Sequence, residues 1–130
     1  MQKTTTLLMF TGRAEEAMKF YTSLFPNSEI KSVVKYGKEE GSKEGQVMQA
    51  IFTINGQEYM AMDSSVKHDY TFTPSISIFI SCDNEDEIAQ LYKKLSEHGE
   101  IRMPLDTYEF SKQYGWVSDK FGVSWQLNLA

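Results

Sequence analysis

Side chains whose types and spacing suit chemistry cluster in the second half of this sequence. The closing run Ser124-Trp125-Gln126-Leu127-Asn128-Leu129 alternates polar and apolar residues. As a strand it puts Trp125, Leu127 and Leu129 on one face and Ser124, Gln126 and Asn128 on the other. Gln126 is then either a satisfied structural amide or a ligand contact, since buried polar groups nearly always find partners. Upstream, the stretch RMPLDTYEFSKQYGW from Arg102 to Trp116 reads as a loop carrying Tyr108, Phe110, Tyr114 and Trp116 beside Arg102, Asp106 and Glu109. Aromatic walls with a few polar groups hold small planar or apolar ligands; the same aromatics can equally fill a core or a subunit interface. Met60, Met62 and Met103 offer adaptable pocket lining or plain core.

Other reactive types are poorly placed. Asp119-Lys120-Phe121-Gly122 has Asp first and Gly fourth, which is the signature of a type I turn and not of an acid/base pair. Cys82 follows an apolar run and stands beside Asp83, whose charge raises a thiol pKa, so it makes a poor nucleophile. His68 lies in the loop SSVKHDYTFTP, and His98 falls at the end of a helix, where a partly cationic ring suits the dipole. Neither is accompanied by a histidine-carboxylate spacing that would hold a metal.

The elements that must position these groups come in two similar sets. Thr4–Phe10 is a strand candidate, followed by a helix opening at Gly12-Arg13-Ala14-Glu15 with the apolar stripe Ala14, Ala17, Met18, Tyr21, Leu24 and Phe25. Pro26 stops it. Strand runs follow at Glu29–Tyr36, Gln46–Ile54 and Gln57–Asp63, the last two joined by the hairpin dipeptide Asn55-Gly56. The charged, glycine-containing stretch Tyr36–Gly45 between them reads as a solvated hairpin loop. In the second half Ser75–Ser81 is a strand with Ile76, Ile78 and Ile80 on one face and Ser75, Ser77 and Phe79 on the other. Asp83-Asn84-Glu85-Asp86 caps a helix with the stripe Ile88, Leu91, Tyr92 and Leu95, ended by His98-Gly99. Glu100–Met103, Tyr114–Ser118 and Ser124–Leu129 complete the set. The helices share a phrase, EAMKFYTSL over EIAQLYKKL, which with the matching element order indicates a duplicated strand-helix-strand-strand-strand module.

At 130 residues the chain fits a single domain spanning 1–130, with a first module over about 1–66 and a second over about 72–130. A net charge of −5, with lysines scattered among glutamates, lacks the electrostatic footprint of a nucleic-acid binder. No apolar run reaches the ~20 residues of a membrane span, and the N-terminal MQKTTTLLMF reads as a strand and not as a signal peptide. The single cysteine precludes an internal disulfide and fits a reducing cytoplasm.

Two stretches, FTGRAEEAMKFYTSLFPNSEI and YGWVSDKFGVSWQL, resemble the PhnB-like branch of the vicinal oxygen chelate superfamily, often labelled demethylubiquinone methyltransferase. This superfamily includes glyoxalase I, extradiol dioxygenases and bleomycin-resistance proteins. The resemblance covers nearly the whole chain and implies an α+β fold in which two βαβββ modules form a cupped, mostly antiparallel eight-stranded sheet. Members that do chemistry usually hold a divalent metal through His and Glu on four strands. Carried onto this sequence, those positions fall at Leu7, at Met60 or Met62, near Ser77, and at Gln126. Leucine has no lone pair, a thioether is a poor ligand for hard ions, and serine and glutamine are neutral and weak, so no metal and no cofactor is expected. The methyltransferase label finds no support in a doubly wound cofactor fold, since only Gly12 stands where a glycine-rich turn would be needed.

Three readings of function remain. The first is a cytoplasmic, homodimeric protein holding a small organic ligand in a metal-free, aromatic-lined cup formed by Leu7, Met62, Ser77, Phe79, Tyr108, Trp116 and Gln126. The second is an enzyme, using either a metal at Asp63 and Glu58 or proton transfer at Tyr108 or Asp106. The third is a structural or interaction protein with its cup filled by its own side chains.

Overall fold

A computed structural model describes all residues, 1–130. The elements run β1 (Thr6–Phe10), α1 (Ala14–Leu24), β2 (Ile30–Lys35), β3 (Val47–Ile54), β4 (Gln57–Asp63), β5 (Ser77–Ser81), α2 (Glu85–Ser96), β6 (Glu100–Tyr108), β7 (Ser111–Ser118) and β8 (Ser124–Leu129). They form an α+β structure of two compact units, Met1–Asp69 and Tyr70–Ala130, each with a four-stranded mixed sheet and one helix.

In the first unit the strand order is β1-β4-β3-β2. The β1/β4 pair is parallel, because α1 returns the chain before β2, and the other two pairs are antiparallel. Leu8, Phe10, Ala50, Phe52 and Ala61 face α1, whose Ala14, Ala17, Met18 and Tyr21 are fully buried. The Tyr21 ring stacks on Phe52 at 6.4 Å between centroids, and Phe52 on Tyr59 at 5.6 Å. Each such buried large side chain contributes roughly 1.5–3 kcal/mol of transfer free energy. The Asn55-Gly56 turn has both residues at positive φ, 52° and 79°, as a two-residue hairpin requires. Within the charged stretch before β3, residues Lys38–Lys43 form 3-10 turns broken at Gly41.

Asp63 closes this unit. It is 1% exposed. Its Oδ1 accepts the backbone N–H of Gly12 at 2.7 Å and of Ala14 at 3.0 Å, and its Oδ2 accepts that of Val47 at 3.0 Å. The local N-cap of α1, Arg13, makes no side-chain cap bond, so a carboxylate from the end of β4 satisfies donors that open the helix.

The second unit has the order β5-β8-β7-β6, with β5/β8 parallel and the rest antiparallel. Trp125 and Leu127 are fully buried beneath α2, whose Ile88, Leu91 and Leu95 form the facing stripe. Helix α2 is capped as its sequence indicates: the Asn84 side chain accepts from the backbone of Glu87, and the Glu87 carboxylate accepts from the backbone of Asp83. At Gly115 a Cβ would stand 2.9 Å from the Tyr92 ring, so this glycine lets the helix lie close on β7. Asp119 makes the expected turn, with Gly122 N–H bonded to its carbonyl. Its buried carboxylate also accepts from the backbone of Phe121 and Val123 and from the Trp125 indole.

Three expectations need correction. Arg102–Trp116 is not a loop: β6 and β7 extend through it as one hairpin, turning at Glu109-Phe110. Pro104 obscured this in the sequence, yet β6 is an edge strand and Pro104 lies within a register shift between Met103 and Asp106, where proline is tolerated. Ile76 lies before β5 and is 67% exposed, so only Ile78 and Ile80 share the face of Trp125 and Leu127. His98 lies beyond α2, and it, not Gly99, takes the left-handed conformation after the helix, with φ 58°.

Candidate functional site

Away from α2, the second sheet presents a polar row laid out by strand register. Ser77 pairs with Ser124, Phe79 with Gln126, Trp116 with Gln126 and Ser118 with Ser124. Paired residues share a face, so these side chains stand together opposite Trp125 and Leu127. The Tyr114 hydroxyl donates to Gln126 Oε1 at 2.5 Å, and Gln126 Nε2 donates to Ser77 Oγ at 3.1 Å. Ser77 and Ser124 hydroxyls lie 2.6 Å apart, and the Trp116 indole N–H donates to Ser124 at 2.8 Å. At the β6 edge Arg102 Nε donates to the Ser118 hydroxyl at 2.8 Å.

Aromatic groups flank this row. Phe79 is 55% exposed. At the far end, Tyr108 stacks on Phe110 at 5.6 Å, and both meet the edge of Tyr114 at 5.8 and 5.0 Å. Burial, then the neighbouring Tyr108, pushes the Tyr114 hydroxyl above its ordinary pKa, so it stays protonated and donates to Gln126. The Tyr108 hydroxyl is taken up by the carbonyl of Pro104, and Asp106 accepts the backbone N–H of Thr107.

The seven residues expected to line a pocket thus fall in two groups. Ser77, Phe79, Trp116 and Gln126 share one face of the second sheet, with Tyr108 at its rim joined through Tyr114. Leu7 and Met62 belong to the first sheet, on the face away from α1: Leu7 pairs with Met60, and Met9 with Met62. Register puts Met60 and Met62 on the same face, and neither supplies a hard ligand. Tyr114 and Ser124, which the sequence indicated only as a loop aromatic and a strand alternation, connect the polar row.

The donor set does not fit a divalent metal. Leu7 is an alkane, the methionines are thioethers, and the Ser77 and Gln126 oxygens are engaged in hydrogen bonds. No three His, Cys, Asp or Glu side chains converge anywhere in the structure. The alternative pair fares no better. Asp63 turns its oxygens onto backbone N–H groups, whereas Glu58 points to the other face of β4 and pairs with Lys3 and Lys31. The hydrogen bond from Lys3 leads in lowering the Glu58 pKa. Cys82 is buried, and its thiol is pushed up to about 11, chiefly by burial and then by the charge of Glu87. The β1–α1 turn, where a doubly wound fold would cradle a cofactor phosphate, has its Gly12 and Ala14 N–H groups bound by Asp63.

Comparison with known proteins agrees with this architecture. The sequence profile of the family described as 3-demethylubiquinone-9 3-methyltransferase matches residues 2–128. A PhnB protein from Bacillus cereus, to which the same activity is provisionally ascribed, is 56% identical, with a TM-score of 0.96 over 99% of this chain and 100% of its own. Protein PA1353 from Pseudomonas aeruginosa is 24% identical, with a TM-score of 0.85 over 99% and 98% of the two chains. The fosfomycin resistance protein FosX from Listeria monocytogenes shares the fold at 12% identity, with a TM-score of 0.65 over 100% and 93%. No curated protein matches the sequence. The chain therefore belongs to the 3-demethylubiquinone-9 3-methyltransferase family, a PhnB-like branch of the vicinal oxygen chelate superfamily with a glyoxalase/bleomycin resistance-like fold.

Proposed function

We propose that this protein binds a small organic molecule without a metal, on the face of the second sheet that carries Ser77, Phe79, Trp116 and Gln126. The observation behind this reading is a polar row beside a half-exposed aromatic, Phe79, that no other ring covers. Oriented hydrogen-bond donors next to open apolar surface are how small-ligand sites combine affinity with orientation. Tyr108 is assigned to the rim of this face. In this reading the protein works in the cytoplasm, consistent with its free cysteine, and as a homodimer. Exposed apolar residues on the first sheet, Leu7 at 49% and Val34 at 50%, favour a covering partner.

A thermal-shift screen over metabolites and antibiotics tests the binding. At least one compound should raise the unfolding midpoint saturably with concentration. A flat response across the panel overturns the reading. Sedimentation equilibrium tests the dimer separately.

A further inference from the structure

The direction of the Ser77–Ser124 hydrogen bond determines which atoms the polar row offers outward. Ser124 is 2% exposed and accepts the Trp116 indole N–H. If Ser77 donated to it, the Ser124 O–H would be buried with no acceptor, a cost that folded proteins avoid. Ser124 therefore donates to Ser77. Ser77 Oγ then receives two hydrogens, from Ser124 and from Gln126 Nε2, which fills both its lone pairs. What remains to this partly buried hydroxyl is its own hydrogen. Gln126 likewise has one amide hydrogen engaged with Ser77 and a second one unused. The opposite amide orientation would leave the hydrogen of the buried Tyr114 hydroxyl with no acceptor, so the Gln126 oxygen faces Tyr114 and its nitrogen faces Ser77.

From this we infer that Ser77 and Gln126 form a two-donor site for an acceptor oxygen, a carboxylate or carbonyl group, carried by a ligand whose apolar body packs on Phe79. This rests on the binding reading above and adds the ligand's chemistry to it. A hydroxyl whose oxygen accepts twice is polarised into a stronger donor. Outward-facing hydrogens attract oxygen lone pairs and repel cations, so the face that cannot hold a metal ion is suited to the opposite charge. The same four-strand row places Arg102 at its β6 end, hydrogen-bonded to Ser118 and paired with Glu100 at 3.6 Å.

The two tryptophans supply a built-in test. The Trp116 indole belongs to the row, whereas the Trp125 indole donates to Asp119 on the α2 side of the sheet. Two-dimensional ¹⁵N NMR of the full chain would be recorded with benzoate, acetophenone and ethylbenzene as probes. Benzoate or acetophenone should shift the Trp116 indole and Gln126 side-chain signals saturably and leave Trp125 in place. Both should bind at least about tenfold more tightly than ethylbenzene, the order expected for one or two donated hydrogen bonds. Benzoate binding tighter than acetophenone assigns a carboxylate, and equal binding assigns a neutral carbonyl.

Ser77→Ala should lose about tenfold in affinity and Ser77→Thr, which keeps the hydroxyl, should retain it. Ethylbenzene binding as well as the oxygen-bearing probes would overturn the two-donor site while leaving an apolar ligand site intact. Oxygen-bearing probes that leave the Gln126 signals unmoved would overturn it as well. If neither these probes nor the metabolite panel bind, the binding reading itself falls.

Discussion

The carboxylate of Asp63 accepts the backbone N–H of Gly12 at 2.7 Å across a sequence separation of 51 residues, and through it the end of β4 caps the start of α1. The same side chain holds Ala14 and Val47, so one buried group joins β4, the β1–α1 turn and the start of β3. Asp63→Asn keeps the size but turns one acceptor into a donor facing backbone N–H groups. The expected loss is about 2–4 kcal/mol, since a buried donor left unpaired costs ~1–3 kcal/mol. Urea unfolding at an unchanged m-value measures it. A loss under about 1 kcal/mol would show that the three bonds are replaceable.

A second expectation concerns Gln126 and Tyr114. Gln126→Leu strands the Tyr114 hydroxyl, and Tyr114→Phe strands Gln126 Oε1; each single change should cost about 1–2 kcal/mol. The double variant should cost less than the sum, because neither half of the bond is then left unpaired. A coupling energy of about 0.5–1.5 kcal/mol in a double-mutant cycle is expected. Strict additivity would mean that water replaces either partner without penalty, and that the row is less rigid than its distances indicate.

How much of this was legible in the sequence depends on whether the signal was local. The alternation in Ser124–Leu129 correctly assigned Gln126 to the face away from Trp125, because a period of two needs no knowledge of the partner strand. The stripes of both helices were equally readable; only Leu24 and Tyr92 remain partly exposed. The β6–β7 hairpin was not, because Pro104 and register shifts interrupt its alternation and its pairing is supplied by β7. The turn at Asp119 was readable, but the bond from the Trp125 indole to its carboxylate was not. Asp63 looks like an ordinary strand-end acid until the distant donors it serves are brought to it. The Tyr114–Gln126–Ser77–Ser124–Trp116 row crosses three strands, and only the fold assembles it.

Gly99, after α2, and Gly45, before β3, give a contrast in kind. A Cβ at Gly99 would lie 2.2 Å from the carbonyl oxygen of Ser118, so Gly99→Ala must displace backbone. The expected loss is about 2–3 kcal/mol, as for other overpacked sites. Gly45 has open space around its missing Cβ but a φ of 86°, so Gly45→Ala should cost only the left-handed penalty, about 1–2 kcal/mol. His98 is the converse case: at φ 58° it is a strained helix terminator, and His98→Gly should be neutral or stabilising by up to about 1 kcal/mol. Thermal unfolding of the three variants ranks them, and Gly99→Ala as mild as Gly45→Ala would contradict the close approach of β7.

Alkaline pH should expose the state of Cys82. Its folded pKa of about 11 exceeds the ordinary value of 9, first because burial disfavours the thiolate and next because Glu87 repels it. As pH rises past about 9 the unfolded chain releases this proton while the folded chain keeps it, so the unfolded state gains. The stabilising contribution is complete below pH about 9 and is lost progressively up to about 11. Tyr59 and Tyr114, both raised by burial, add losses of the same sign above their ordinary value of 10. Cys82→Ala should therefore show a shallower fall of the urea midpoint from pH about 9 upward than the parent chain, without abolishing the tyrosine-dependent part. The native thiol should also alkylate with iodoacetamide at least about tenfold more slowly than in the urea-unfolded chain at pH ~8, since the thiolate is the reactive form. Equal alkylation rates would mean that the C-terminal end of β5, opposite the end that carries Ser77, opens readily enough to hydrate Cys82.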